Sequence, residues 1–365
     1  MLTFEFWKSF LRTIQWGGAF FAVLLNSLLI ILIVFRSPKH LGAYKYLMFY
    51  ISIFEIAYSI LDAIVEPNVF SHGPAFIVFR NFKHSHFGRN QGCYLIMMYC
   101  GSFGLSIALF GVHFIYRYSA VDCVFRKKYL EGRKMTVLFW MPVVYCVWWS
   151  MVVWVMFRSS GETDMLMRSP LLHGYDTRIE DISYVVAVFY TTGTPHTHQL
   201  SPNWSAFLGM SNMWFMISTS LFCVIYFGIK CYWKLTKSLV KSKMSSYYKK
   251  SIQQQLFQAL VMQTLIPVVL MYAPIGILFI FPMFNIEVGF ISSFITATIA
   301  IYPAVDPLPT MFIIENYRKT LCCCENWKNP RDGKLTKIRI SGLRMRMKKK
   351  VAKAAVVNRS VDIQN

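Results

Sequence analysis

Apolar residues in this chain gather into seven long runs separated by polar segments, at about 14–35, 44–65, 92–116, 135–157, 204–229, 256–282 and 286–314. The first contains WGGAFFAVLLNSLLIILIVF at 16–35, which carries no charge. A helix of roughly 20 such residues crosses the hydrocarbon core of a bilayer. The pattern predicts an all-α membrane protein, a seven-transmembrane helix bundle over 14–314. Outside it lie a short N-terminal segment, 1–13, a short amphipathic juxtamembrane helix, 315–328, and a basic tail, 329–365. No long internal repeat and no separate soluble domain is visible. Pro267 and Pro274 interrupt the sixth run, and neighbouring helices in a bundle accommodate such breaks.

Composition agrees with this pattern. Hydrophobic residues make up 55% of the chain and charged residues 15%, against roughly 25% charged in soluble domains. The net charge of +21 would fit nucleic acid, anionic lipid or membrane topology, and the placement of the charges decides. Thirty Lys and Arg fall in the segments on one side of the spans and eight on the other. The positive-inside rule then sets the N-terminus outside and the C-terminus inside. No basic domain with interleaved aromatics stands apart, so nucleic acid is not an expected partner. The first run is too long for a cleavable signal peptide and ends on Arg36, which makes it a signal anchor.

Ionisable residues inside a span are costly and are functional candidates by default. Glu55, Asp62 and Glu66 recur at spacings of seven and eleven, which at 100° per residue places all three on one stripe facing the bundle interior. Asn26 and Asp306 project at middle to lower depth from spans one and seven, giving an expected intramembrane polar cluster of Asn26, Glu55, Asp62 and Asp306. Two readings stay open: a hydrogen-bonded knot with at least one carboxyl neutralised by burial, or a cation or proton switch. Pro307 and Pro309 remove backbone donors and predict a hinge in span seven.

Four stretches carry a family resemblance: SPKHLGAYKYLMFYISIFEIAYSILDAIVEP at 37–67, HFIYRYSAV at 113–121, QTLIPVVLMYAP at 263–274 and YPAVDPLPTMFIIENYR at 302–318. Together they closely resemble the Str and Srj seven-transmembrane chemoreceptors of nematodes, in the rhodopsin-like G-protein-coupled receptor superfamily. The resemblance covers roughly 10–320. It implies an olfactory-type receptor in the plasma membrane of sensory cilia. Its ligand would be a small odorant or tastant, and its signalling partner the alpha subunit of a heterotrimeric G protein.

The resemblance also implies residue roles. Arg117 follows Cys93 by 24 residues, or about 36 Å of helix, and so reaches the inner water boundary. It corresponds to the arginine with which rhodopsin-like receptors meet a G protein. The acid that normally precedes it is Tyr116 here, so His113 or the hydroxyls of Tyr116 and Tyr118 become the candidates to restrain it. A merely snorkelling arginine is the alternative. The Asn26, Glu55 and Asp306 group is similar to the sodium-binding core of those receptors, with Asp306 and Pro307 in place of their Asn-Pro pair. Cys93 stands where they place a disulfide cysteine. The outer loop 158–203 has no cysteine to join it, so Cys93 is expected to be a buried thiol.

Cys322, Cys323 and Cys324 beside the last span are candidates for palmitoylation. The segment Arg331 to Lys350, with nine Lys or Arg and one acid, should favour anionic inner-leaflet lipid. Asn203-Trp204-Ser205 is a glycosylation sequon abutting span five, which sets Asn203 as a possible site. His84 with His86 and His196 with His198 lack a third spaced ligand, so no metal or other cofactor is expected. Tyr94, Tyr99, Trp204, Phe207, Trp214 and Tyr272 could line a pocket for a small apolar ligand, or be core and interfacial aromatics; no ligand-binding residue is singled out. The outer loop 158–203, 46 residues long, reads equally as a solvated lid or as a ligand-access element.

Rival functions are a ligand-gated channel or transporter and a non-sensing ciliary membrane protein. Insect odorant channels also have seven spans, with the opposite orientation. An enzyme is not expected: the sequence holds no HExxH, no GxGD and no nucleophile triad.

Overall fold

A computed structural model of the chain describes residues 4–37, 44–83, 88–192, 200–240, 244–289 and 292–322. Six helices are long and apolar enough to cross a bilayer, and a seventh crossing runs from Ser292 to Ile313. The crossings are α1 (Phe4–Arg36), α2 (Tyr44–Val65), α3 (Arg89–Val121), α5 (Arg133–Met156), α7 (Trp204–Val240), α8 (Met244–Pro267) continuing into α9 (Ala273–Met283), and α10 (Ser292–Val305) with α11 (Pro307–Ile313). Short helices α4 (Cys123–Tyr129), α6 (Gly161–Tyr175) and α12 (Glu315–Cys322) lie between or after them. This is a seven-transmembrane helix bundle.

Several helices exceed their apolar runs. α1 begins ten residues before the predicted span and α7 ends eleven after it, because a helix continues through polar sequence while backbone bonding and side packing support it. Close contact fixes the seams. A Cβ at Gly104 of α3 would sit 2.7 Å from the Trp149 Cβ of α5, and one at Gly18 of α1 would sit 2.5 Å from Ala300 O of α10. Small residues that let backbones approach are the usual means of packing helices in lipid.

The prolines act as backbone breaks rather than bends. Pro267 is followed by a π-helical turn, Val268–Tyr272, joining α8 to α9. A wide turn of this kind absorbs a missing donor. At the α10–α11 junction Asp306 keeps helical angles (φ −57°, ψ −39°), so the axis carries on while Pro307 offers no N–H to the carbonyl of Pro303. Asn26 Nδ2 supplies the missing donor, bonding Pro303 O at 3.0 Å as well as Ala22 O at 3.1 Å. At the position of the expected hinge, Asn26 thus links α1 to α10.

The segments expected as two outer loops fold into a cap. β1 (Asn68–His72), β2 (Ala75–Asn81) and β3 (Ile182–Val188) form an antiparallel sheet in that order, while β4 (Tyr190–Thr192) pairs with β5 (Leu200–Pro202). β1 and β2 are joined at His72↔Ala75 by a two-residue loop whose first residue, Gly73, has φ +53°, as tight hairpins require. Alternate residues serve two cores. Val69, Phe76, Val185 and Ala187 pack with the bundle, whereas Phe70, Ile77, Phe79 and Tyr184 pack with Met167, Leu171 and Tyr175 of α6. A solvated lid is therefore corrected to a packed one.

Candidate functional site

Under the sheet lies an apolar cavity of about 80 Å³ whose walls include Tyr58, Phe76, Tyr99, Phe103, Trp149 and Phe279. Tyr58 and Tyr99 stack there with centroids 5.6 Å apart and planes 9° apart. The lining is almost wholly apolar, which suits a small, mostly apolar molecule. Of the aromatics named from sequence, Tyr99 lines this space. Tyr272 packs on Phe103 and Phe110 instead, Trp214 on Phe279 and Phe207 on Phe189. Tyr94 and Trp204 face outward, 57% and 73% exposed.

The four-residue polar cluster divides. Glu55 and Asp306, both buried, bring their carboxyls within hydrogen-bonding reach of each other. Gln263 Nε2 of α8 donates to Asp306 Oδ2 at 3.3 Å. Asn26 stands beside them. Asp62 is buried too, but seven residues, or about 10 Å, closer to the sheet, where it faces Tyr58 and Tyr99. Glu66 leaves the stripe altogether. It follows the end of α2 at φ +46°, and its carboxylate, 35% exposed, accepts from Arg12 Nε at 3.1 Å and Trp16 Nε1 at 3.0 Å.

Next to the carboxyl pair is a small cavity of about 10 Å³, room for about one water, lined by Glu55, Ser106, His113, Gln263, Tyr302 and Asp306. His113 is buried, and its ring lies 6.1 Å from that of Tyr44. Tyr44 in turn lies under Arg117, whose guanidinium sits 5.4 Å from the ring centroid. A buried polar column thus runs from the carboxyl pair through His113 and Tyr44 to Arg117.

Arg117, expected at the inner water boundary, is fully buried by its neighbours. The straight-rise estimate fixes depth along the helix but not what packs beyond it. Nor do the hydroxyls of Tyr116 and Tyr118 hold it. The Tyr116 ring packs on Tyr44 at 6.0 Å, and Tyr118 Oη donates to Asp122 Oδ2 at 2.9 Å. Tyr44, the first residue of α2, was missed because it reads as one more span aromatic. Cys231 of α7 is another neighbour.

Asp122 was missed as well. It caps α4 by accepting from the N–H groups of Val124 and Phe125 at 3.0 Å, and it forms an ion pair with Lys234 of α7. The hydrogen bonds from Lys234 and Phe125 hold its carboxyl well below the usual aspartate range. The acid absent before Arg117 is thus present five residues after it, engaged with another helix. Beside this end, α7 and α8 enclose an apolar groove of about 860 Å³ lined by Gly228, Tyr232, Trp233, Phe257, Gln258 and Val261.

Asn203 precedes α7, and its Nδ2, the atom glycosylation would modify, donates to Val188 O at 3.0 Å. Cys93 is a free thiol of intermediate burial. The Cys322 side chain, Cys323, Cys324, the tail 329–365 and the histidines at 84, 86, 196 and 198 lie outside the described residues.

A seven-crossing helix bundle with a buried polar core is consistent with a serpentine receptor. The chain belongs to the serpentine seven-transmembrane G-protein-coupled chemoreceptors of the Str family, whose model matches residues 11–322. It is 35% identical over 341 residues to the Caenorhabditis elegans G-protein coupled receptor str-217, covering 90% of this chain and 96% of that one. Serpentine receptor class r-10 of the same species is 30% identical, covering 87% and 91%, and that of Caenorhabditis briggsae is 29% identical, covering 88% and 92%.

Proposed function

We propose that the chain is an olfactory-type receptor that takes a small, mostly apolar molecule beneath the sheet and activates a heterotrimeric G protein at its Arg117 end. The observation that carries this reading is the buried column from Glu55 and Asp306 through His113 and Tyr44 to Arg117. A buried cation can serve as a switch only if packing around it rearranges, and packed interfaces rearrange between discrete states. The groove between α7 and α8 is the surface for a helix of the G protein alpha subunit. In this reading the sheet faces outside and the tail 329–365 faces anionic inner-leaflet lipid, with Cys322 to Cys324 available for acylation in the plasma membrane of a sensory cilium. Asn203 serves the cap as a hydrogen-bond donor rather than as a glycan site.

The test is expression of the full chain in cells carrying a G-protein reporter, challenged with a panel of small neutral volatiles. Arg117→Ala at matched surface level is expected to reduce the response at least about tenfold, the scale of removing one buried charged contact. An undiminished response sinks the assignment of Arg117. Ion current without a reporter signal would favour a channel. Antibody access to terminal tags on intact cells checks the orientation: an N-terminal tag should be reached and a C-terminal tag should not.

A further inference from the structure

A second cavity, about 220 Å³ and so larger than the one beneath the sheet, opens between the sheet ends of α3 and α5 and strand β3. Its chemistry is graded. Arg89, Asn90, Arg158 and Ser159 line one end, and Met97 and Val153 the other. Eight residues of α3 separate Arg89 from Met97, about 12 Å of helix. Between them Tyr94 stacks on Trp154, with centroids 5.9 Å apart and planes 15° apart.

The two guanidiniums are not equivalent. Arg89 Nη2 is committed to Asp164, at 2.9 Å from Oδ1 and 3.3 Å from Oδ2. Arg158 lies 4.4 Å above the Trp154 ring, and its backbone is fixed by a bridge to Val185 of β3. No carboxylate pairs with it among the described residues. A solvent-accessible guanidinium stacked on Trp154, with no carboxylate partner among the described residues, stands at the polar end of a cavity that becomes apolar within about 12 Å, which matches one ligand form.

We propose that this cavity binds an amphiphile, with a carboxylate or phosphate paired to Arg158 and a hydrocarbon tail laid against Tyr94, Trp154 and Met97. Val153 and Val185 line both this cavity and the one beneath the sheet, so an occupant here presses on the wall of the second. The site is separate from the polar column and does not depend on the G-protein reading. The anion could come from a bilayer lipid or from an acid delivered in water.

The test uses the purified full chain in phosphatidylcholine nanodiscs with photoactivatable probes: a ten-carbon carboxylic acid added from water, its methyl ester, and a phosphatidylglycerol placed in the disc. Mass spectrometry then locates the labelled peptides. The acid, the phosphatidylglycerol or both should label the peptides spanning 89–97 and 153–159. The ester should label them about tenfold less, the scale of a charge-assisted hydrogen bond. Arg158→Gln should lose a similar factor, and Arg158→Lys, which keeps the charge but not the planar fork or the stack on Trp154, should still label more with the acid than with the ester. Labelling by the aqueous acid alone identifies a soluble source, and labelling by the phosphatidylglycerol a lipid source. Equal labelling by acid and ester, no loss in Arg158→Gln, or no label in these peptides from either anion overturns the proposal. The acid–ester comparison uses the unaltered chain, so it decides even if the Gln variant fails to fold.

Discussion

The two ends of the bundle are built on opposite principles. At the sheet end, both faces of β1–β2–β3 are buried and the cavity below holds only about 80 Å³, while the 220 Å³ cavity with its arginines lies apart, between α3, α5 and β3. Its ion pairs, such as Arg12–Glu66 and Arg168–Glu180, sit at the periphery. At the other end a fully buried arginine rests on an aromatic face, an aspartate is bound to a lysine of another helix, and a groove of about 860 Å³ stands open. Close packing discriminates by shape, because each missing atom loses contacts outright. Charges in a poorly solvated setting discriminate between arrangements, because each position of the charge has a very different energy. Under the proposed receptor reading, the difference would put selectivity at the first end and switching at the second.

The largest test of that division is Phe76→Ala. Phe76 is buried where β2 meets the bundle, stacked on Phe279 at 5.4 Å and near Phe189 at 6.3 Å. Loss of a buried Phe costs about 3–5 kcal/mol. Thermal unfolding in detergent should therefore fall by several degrees or more, with ligand response weakened and basal signalling unchanged. A normal melting temperature would mean that the cap is not packed as described.

Next in size is Tyr44→Ala at the opposite end. It removes the ring beneath Arg117, an interaction worth about 2 kcal/mol when desolvated. Basal reporter activity should rise at least about threefold, the population shift that a change of this size readily produces. Tyr44→Phe keeps the ring face and should behave like the parent. If Ala and Phe behave alike, the ring does not hold Arg117, and the division loses its switching half.

The helical bundle was legible in the sequence because spans must be long and uninterrupted. The sheet was not. AFIVFRN and ISYVVAV are strand-length apolar runs, too short to cross a bilayer. Buried on both faces, they lack the polar alternation that marks a half-exposed strand. The site was legible in kind but not in grouping. Periodicity placed Glu55 and Asp62 on the inward face, yet face is not depth: one meets Asp306 and the other Tyr99. Partners such as Tyr44, Gln263 and Lys234 come from other helices, and one sequence does not specify which helices touch.

A smaller effect separates charge as a switch from charge as a cap. Asp122→Asn keeps an oxygen for the N–H groups of Val124 and Phe125 but loses the ion pair with Lys234. Lys234 is 43% exposed, so screening by solvent brings the cost to about 1 kcal/mol. The reduced link between α3 and α7 should raise basal activity modestly. The pH dependence has a definite sign. A carboxyl held below its ordinary value contributes fully above that value, about 3.9 for Asp, and loses the contribution only as pH falls through the lower folded one. Basal activity of parent and variant should therefore differ by the same factor at pH 5 and pH 8. A difference that vanishes at pH 5 would show that the ion pair does not hold Asp122 as described.

The smallest expected effect comes from the cap's surface. Arg168 Nη2 donates to Glu180 Oε1 at 2.6 Å, with the two side chains 64% and 56% exposed. Short as it is, a pair so open to solvent is screened and contributes only about 0–1 kcal/mol. Arg168→Ala should leave the melting temperature within about two degrees of the parent and the response unchanged, even though it removes an ion pair between α6 and the turn before β3. If this variant instead damages ligand response as Phe76→Ala is expected to, the cap is held by its charges after all. Selectivity would then rest on electrostatics at both ends.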